Sequence, residues 1–249
     1  MKIAVCIKRA PDSETRFRIA ASGTGIDEAG VKFDISDFDS YAVEYALQVT
    51  EKGGGEVVVI SVGTDASQET LRKALSMGAA SGVLLKTDGP VFDSMAVARA
   101  LADELQGGGY DLVLFGKVAA DTAAGAVGAM TAELLGLPCV NSVSKLDLAD
   151  GRGTARRDLE GAAETVEFPL PAVVSIDEGI ARPRYPSLKG IMAAKKKPLE
   201  SKPAQLGDVR VKIAKMELPA DRPPGRIIGE GAAAVPELVR LLQDEAKVL

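Results

Sequence analysis

The residues able to do chemistry cluster in one stretch: Gly116-Lys117-Val118-Ala119-Ala120-Asp121-Thr122-Ala123-Ala124-Gly125-Ala126-Val127-Gly128. It offers an ammonium, a carboxylate, a hydroxyl and a run of backbone N–H groups with little side chain to obstruct them. The apolar run Asp111-Leu112-Val113-Leu114-Phe115 precedes it. A helical pattern, Val127 to Leu135, follows it and stops at Gly136 and Pro138. Strand, small-residue loop and helix start is the arrangement in which unpaired first-turn donors and the positive dipole end meet an anion such as phosphate. On the loop alone, a tightly packed βα connection is the better account. The rest of the chain has to decide.

Other chemistries are excluded more firmly. The 249 residues contain no histidine, which removes His-based triads and imidazole metal ligands and disfavours ordinary acid–base hydrolysis. Cys6 and Cys139 form no CxxC pair, and Cys6 reads as a buried small residue in a strand. A net charge of −5 and a pI of about 5.1 disfavour a nucleic-acid surface. The short basic cluster Lys195-Lys196-Lys197 reads as a solvated patch.

The elements that must position the loop read as alternating strands and helices. Lys2 to Ile7 is a first strand, and no signal peptide or membrane-spanning run precedes it, so a soluble cytoplasmic protein is expected. Phe17 to Ile26 reads as a small hairpin turning at Gly23-Thr24-Gly25. Ser36-Asp37-Phe38-Asp39-Ser40 reads as a helix N-cap. Val57 to Val62 is apolar without alternation, as in a parallel strand covered on both faces. Helices are expected from about Ser67 to Met77 and from about Asp93 to Leu105, with a short strand at Gly82 to Leu85 between them. This alternation predicts an α/β fold, a parallel doubly wound sheet of adenine-nucleotide-binding, Rossmann-like type. Ligands of such sheets sit outside the carboxyl ends of the strands. Neither GxGxxG nor GxxxxGK[ST] occurs there.

Beyond Pro138 the pattern becomes a β meander, about 143–168, followed by a buried strand from Pro171 to Ile176. A short helix fits Leu188 to Ala194. The proline-rich segment after Pro198 has no sustained period, and Pro236 opens a final amphipathic helix. Two parts are therefore expected: a nucleotide-binding domain over 1–194, and an extended arm with a helix over 195–249 that packs on a partner.

Four segments together resemble the beta subunit of electron transfer flavoprotein. They are Val5-Cys6-Ile7-Lys8-Arg9, Gln68 through Ala79, Gly116 through Gly128 with Met130-Thr131-Ala132, and Pro183-Arg184-Tyr185-Pro186-Ser187-Leu188-Lys189-Gly190-Ile191-Met192 through Lys197. The resemblance implies a heterodimer whose alpha subunit holds most of the redox FAD, while the beta subunit buries a structural AMP. Electrons would come from flavin dehydrogenases and pass to an acceptor such as a membrane quinone reductase, so the chain would be a carrier subunit and not an enzyme. By position, the AMP pocket implied includes Cys6, Ser36, Asp37, Phe38, Asp39, Val62 and Gly116 to Val127. Ser36, Asp39 and Asp121 each have helix capping as an alternative role, and Lys117 that of a solvated loop charge. Phe38 matches a position near the partner's flavin, and Ser13 stands where some members carry a tyrosine. Leu188 matches a leucine that anchors partner dehydrogenases, with Tyr185, Ile191 and Met192 beside it.

Two other readings stay open. Ala124-Gly125-Ala126-Val127-Gly128 lacks the Asn, Gln and Thr of many AMP-binding members, and keeps only the final Val-Gly of the TAQVG pattern of electron-bifurcating members, which bind a second FAD instead. Pro11-Asp12-Ser13 leans toward the bifurcating pattern. A stand-alone ATP- or AMP-binding protein of the stress type also suits the sheet, though it leaves the arm and Leu188 without a purpose.

Overall fold

Val57-Val58-Val59-Ile60, β-branched and apolar on both faces, needs cover on two sides, and crossover helices supply it. The computed structural model describes residues 1–222 and 224–249. In chain order it forms β1 (Lys2–Cys6), β2 (Arg9–Pro11), β3 (Phe33–Ile35), α1 (Asp37–Gly53), β4 (Glu56–Gly63), α2 (Ser67–Met77) and β5 (Ser81–Lys86). Then come α3 (Ser94–Leu105), β6 (Leu112–Gly116), α4 (Val127–Leu135), β7 (Cys139–Ala149), β8 (Arg152–Leu159), β9 (Ala162–Pro169) and β10 (Ala172–Ile176). The chain continues through α5 (Leu188–Ala194), β11 (Leu199–Pro203), a 3₁₀ turn (Ala232–Ala234) and α6 (Val235–Asp244).

One nine-stranded sheet runs in the order β11-β5-β4-β1-β6-β10-β7-β8-β9. It is parallel from β11 to β7 and antiparallel through β8 and β9. The fold is thus α/β, with a mostly parallel central sheet flanked by helices in the Rossmann-like manner. From β1 the chain crosses to β4 and β5 on one side, then returns to β6 on the other. The carboxyl end of β1 is therefore the switch point, where a crevice opens between loops that diverge.

Strand alternation sorts the core into two layers. Ile3, Val5, Val57 and Val59 face α1 and α2, meeting Val43, Leu71 and Leu75; Ala4, Cys6, Val58 and Ile60 face α3 and α4, meeting Leu101, Leu105 and Ala132. Leu71, Leu75, Leu112 and Leu114 are fully buried, each contributing roughly 1.5–3 kcal/mol of transfer free energy. The Tyr45 hydroxyl donates to the Leu146 carbonyl oxygen at 2.7 Å, tying α1 to the meander.

Three expectations need adjustment. The hairpin over Phe17 to Ile26 forms but is short, its one antiparallel bridge, Ile19 to Ile26, flanked by the Ala20 N–H on the Gly25 carbonyl at 2.9 Å and the Asp27 N–H on the Arg18 carbonyl at 2.8 Å. A further ribbon, β2 with β3, flanks it in sequence, and there the Arg9 guanidinium lies 3.3 Å from the Phe33 ring centroid. Second, the meander is longer than expected, because β7 pairs β10 on one side and β8 on the other. Third, the chain divides into units at Met1–Met216 and Glu217–Leu249, later than the boundary expected after residue 194. Two features extend the first unit: β11 pairs in parallel with β5 and satisfies an edge that would otherwise be open, and beyond it the Asp93 carboxylate accepts the Arg210 and Val211 N–H groups. Lys202 on β11 also pairs with Glu104 on α3 at 2.5 Å.

The second unit carries α6, whose Arg240 pairs with Glu237 at 2.8 Å, while Arg226 reaches Glu245 at 3.3 Å. Leu241 is buried; Val235, Leu238 and Val239 are exposed. Among the described residues no helix is long and apolar enough to cross a membrane.

Candidate functional site

Three strand ends build the crevice. At its floor the carboxylate of Asp39, in the first turn of α1, accepts the Lys8 N–H at 2.8 Å through Oδ2 and the Gly116 N–H at 2.9 Å through Oδ1. One side chain thus splints the ends of β1 and β6. Burial pushes the Asp39 carboxyl up to about 7, against the lowering effect of those two backbone donors and of the Lys8 ammonium. A side chain at position 116 is excluded, since a Cβ there would lie 2.5 Å from Asp39 Oδ1. The expected N-cap does not form as hydrogen bonds: no side chain caps α1, and Ser36 Oγ is buried without a partner. Asp39 is drawn away to the strand ends, where it satisfies two partly buried N–H groups.

The loop after β6 is irregular from Lys117 to Ala126 and turns through positive φ at Ala123 (48°) and Gly125 (59°). The Lys8 ammonium holds it, contacting Asp121 at 2.7 Å and Thr122 Oγ1 at 3.2 Å. Asp121 therefore pins the loop and does not cap a helix. Lys117, read as a solvated charge or a ligand contact, pairs with Asp177 beyond β10 at 2.7 Å. Helix α4 begins at Val127 and no side chain caps it. Gly128 lets that first turn sit on Phe115, where a Cβ would be 3.2 Å from the ring.

The opposite wall is apolar: Ile60 and Val62 from β4, Val91 and Phe92 before α3, and Val97 and Leu101 on α3. The cleft holds about 1000 Å³ of empty space, its solvent-open mouth included. An apolar slot on one side, and a helix start with two lysines on the other, suits a ligand with a flat apolar base and an anionic tail.

Of the residues anticipated, Cys6, Asp39, Val62, Gly116, Lys117, Val118, Ala119, Thr122, Ala124, Gly125, Ala126 and Val127 line this cleft. Ser36, Asp37 and Ala120 line a second groove instead, together with Ser13, Tyr41 and Tyr185. Phe38 lines neither, and its ring packs edge-on against Tyr41 at 6.2 Å. Asp121 and Ala123 also stand outside the lining. Lys8, Phe92, Asn141 and Ser175 were not anticipated as site residues and do line it. Lys8, the first residue past an apolar strand, carried a readable signal; Asn141 and Ser175 reach the cleft only through the pairing of β7 with β10.

A separate surface surrounds α5. Tyr185 is 95% exposed, Leu188 84%, Met192 67% and Ile191 45%. Ser187 caps this helix, its Oγ accepting the Gly190 N–H at 3.0 Å. Before it, Arg184 pairs with Glu44 at 2.8 Å and Glu51 at 2.5 Å, both on α1. Burial pushes the Glu44 carboxyl up, but hydrogen bonds from Arg184 and Gln48 outweigh it and hold it below its ordinary value.

Comparison with known proteins gives one consistent result. The family model described as "Electron transfer flavoprotein domain" matches residues 23–206. A protein of Syntrophomonas wolfei named "Electron transfer flavoprotein subunit beta" is 37% identical, over all of this chain and 98% of its own length. Proteins of the same name from Bacillus subtilis and Bradyrhizobium diazoefficiens are 36% and 39% identical over the full length of both chains.

Proposed function

The chain belongs to the electron transfer flavoprotein family, in its beta-subunit branch, and from that premise we propose that it binds a structural AMP and serves as the non-catalytic half of an electron carrier. The observation that carries this reading is the cleft at the switch point. Its Ile60, Val62 and Leu101 wall suits an adenine, and the turn entering α4 at Val127, with Lys8 and Lys117 beside it, suits a phosphate.

In this reading Asp39 sets the spacing of the strand ends, Gly116 leaves room for it, Gly125 lets the backbone turn toward the phosphate, and Thr122 supplies a hydroxyl. Lys8 compensates charge while keeping its hold on Asp121. Phe92 and Val97 exclude water from the base. The partner alpha subunit completes a heterodimer and holds the FAD, which when bound supplies the one-electron chemistry. The groove lined by Ser13, Ser36 and Tyr41 is the part of this chain offered to that partner. Leu188, with Tyr185, Ile191 and Met192, anchors flavin dehydrogenases, and the carrier then delivers electrons to an acceptor such as a membrane quinone reductase.

The test is to co-express the chain with its alpha partner, denature the purified complex and identify the released cofactors by mass spectrometry. One FAD and one AMP per heterodimer are expected. Two FAD without AMP would replace the reading by the bifurcating type, and nucleotide without any flavin by the stand-alone type.

A further inference from the structure

Helix α5 has seven residues, too short to hold its shape unaided, yet it carries the most exposed apolar side chains of the first unit apart from Tyr185. Its support comes from α2, and the two helices close each other's ends. Arg72, on α2, donates through Nη1 to the carbonyl oxygens of Ala194 at 2.6 Å and Lys197 at 2.8 Å, at and just past the end of α5. Lys197 returns the arrangement, its Nζ donating to Leu75 O at 2.9 Å and Ala79 O at 2.6 Å, around the end of α2. Each helix end presents unpaired carbonyls and negative dipole, and each receives a cation from the other.

The seam between them is closed at the backbone. A methyl group at Gly190 would overlap the Ser76 carbonyl oxygen, and Ala194, one turn on, is 3% exposed. Gly190 and Ala194 therefore share the face of α5 against α2, and Lys197 follows just past the helix end. Leu188 and Met192, spaced i and i+4, form a ridge on another face. The orientation of that ridge is set by the seam and the paired cations, because nothing inside a two-turn helix can set it.

We propose that Arg72, Lys197 and Gly190 are positioning residues for electron-donor docking: they hold the Leu188–Met192 ridge in its binding orientation before the donor arrives. This rests on the reading of α5 as the donor-docking surface. Preorganisation lowers the ordering cost of association, so its loss weakens donor affinity without touching the flavin.

The experiment uses the full chain in complex with its alpha subunit, and a purified flavin dehydrogenase selected for reducing the wild-type complex. Arg72→Met, Lys197→Met and Gly190→Ala are each expected to raise KM for the carrier about tenfold or more, with kcat, flavin absorbance and flavin potential within twofold of wild type. Amide hydrogen exchange over 188–194 should accelerate in the same variants. Arg72→Lys and Lys197→Arg, which keep a donor at each end, should recover most of the KM; they also carry the comparison if a Met variant folds poorly. Leu188→Ala separates the two ideas. If it leaves KM unchanged, the docking reading itself fails. If it raises KM while the three seam variants do not, or if they lower kcat and KM in proportion, docking stands and positioning by α2 is overturned.

Discussion

The carboxylate of Asp39 meets the backbone N–H of Gly116 at 2.9 Å, joining residues 77 apart in sequence. Adding the Lys8 N–H, one side chain fixes the spacing of two strands whose ends flank the cleft. Because this carboxyl titrates near 7 in the fold, against an ordinary 3.8, the folded state holds a proton that the unfolded chain has released. The resulting stability is fully present below about pH 4 and is lost as pH rises through 7. Urea midpoints of Asp39→Asn should therefore lack a pH-dependent component of a few kcal/mol that wild type shows between pH 4 and 7.5. Parallel profiles for the two proteins would show that Asp39 is ionised throughout.

Gly116 tests the same junction sterically. Its hypothetical Cβ lies 2.6 Å from the Asp39 nitrogen and 2.7 Å from the Phe38 carbonyl carbon, both backbone atoms that cannot rotate away. Gly116→Ala should cost about 1–3 kcal/mol in chemical denaturation and reduce the nucleotide retained after gel filtration. A variant as stable as wild type would mean that α1 can slide away from β6.

The two lysines of the cleft should separate stability from binding. The Lys8–Asp121 pair has side-chain exposures of 38% and 22%, so Lys8→Met should change folding stability by no more than about 1 kcal/mol. Calorimetric titration of the nucleotide-stripped complex with AMP should show a loss of affinity of about tenfold or more, since charge-assisted bonds to phosphate contribute ~1.5–3 kcal/mol each. Unchanged affinity would place the phosphate away from Lys8.

Arg184 should matter to folding more than its partly exposed position suggests. Glu44 has a side chain only 4% exposed, and Arg184→Met leaves it buried without its cation. A loss of about 3 kcal/mol is expected, largely relieved in the double variant with Glu44→Gln. Since Glu44 is held below its ordinary 4.5, the wild-type pair stabilises the fold above that pH and fades as pH falls through the folded-state value. Acid titration followed by far-ultraviolet circular dichroism would register the difference.

Asp93 joins two segments through its two oxygens. Oδ1 caps α3 by accepting from Met95 and Ala96, while Oδ2 accepts the Arg210 N–H at 2.7 Å and the Val211 N–H at 3.2 Å. Asp93→Ala should cost ~1–2 kcal/mol for the lost cap and speed tryptic cleavage at Arg210. Equal cleavage rates would show that other contacts hold the segment.

What the sequence disclosed follows from the range of the forces involved. The Val57–Ile60 run, the stop at Gly78 and the Val127–Leu135 pattern are local signals, and the elements follow them closely. The cleft loop was legible only together with the rest of the chain, because close βα packing accounts for small residues after a buried strand equally well. The partners of its charged side chains were not. Lys117 with Asp177, Lys8 with Asp121 and Asp39 with Gly116 are contacts made by topology, and no spacing in the chain announces them. The segment after Pro198 misled for a related reason. Leu199-Glu200-Ser201-Lys202-Pro203 is polar and has no strand period; it becomes a strand because β5 offers an open row of donors and acceptors.

That borrowed strand has a consequence for biosynthesis. Gly82 pairs with Val59 early in the emerging chain, but its other neighbour, Leu199, leaves the ribosome only after β6 to β10 and α5. Until then the flank of β5 is bare, and a bare flank can recruit another nascent copy as readily as its own terminus. The polar β11 thus acts as a late seal, and truncation before Leu199 should convert a well-behaved subunit into one that aggregates.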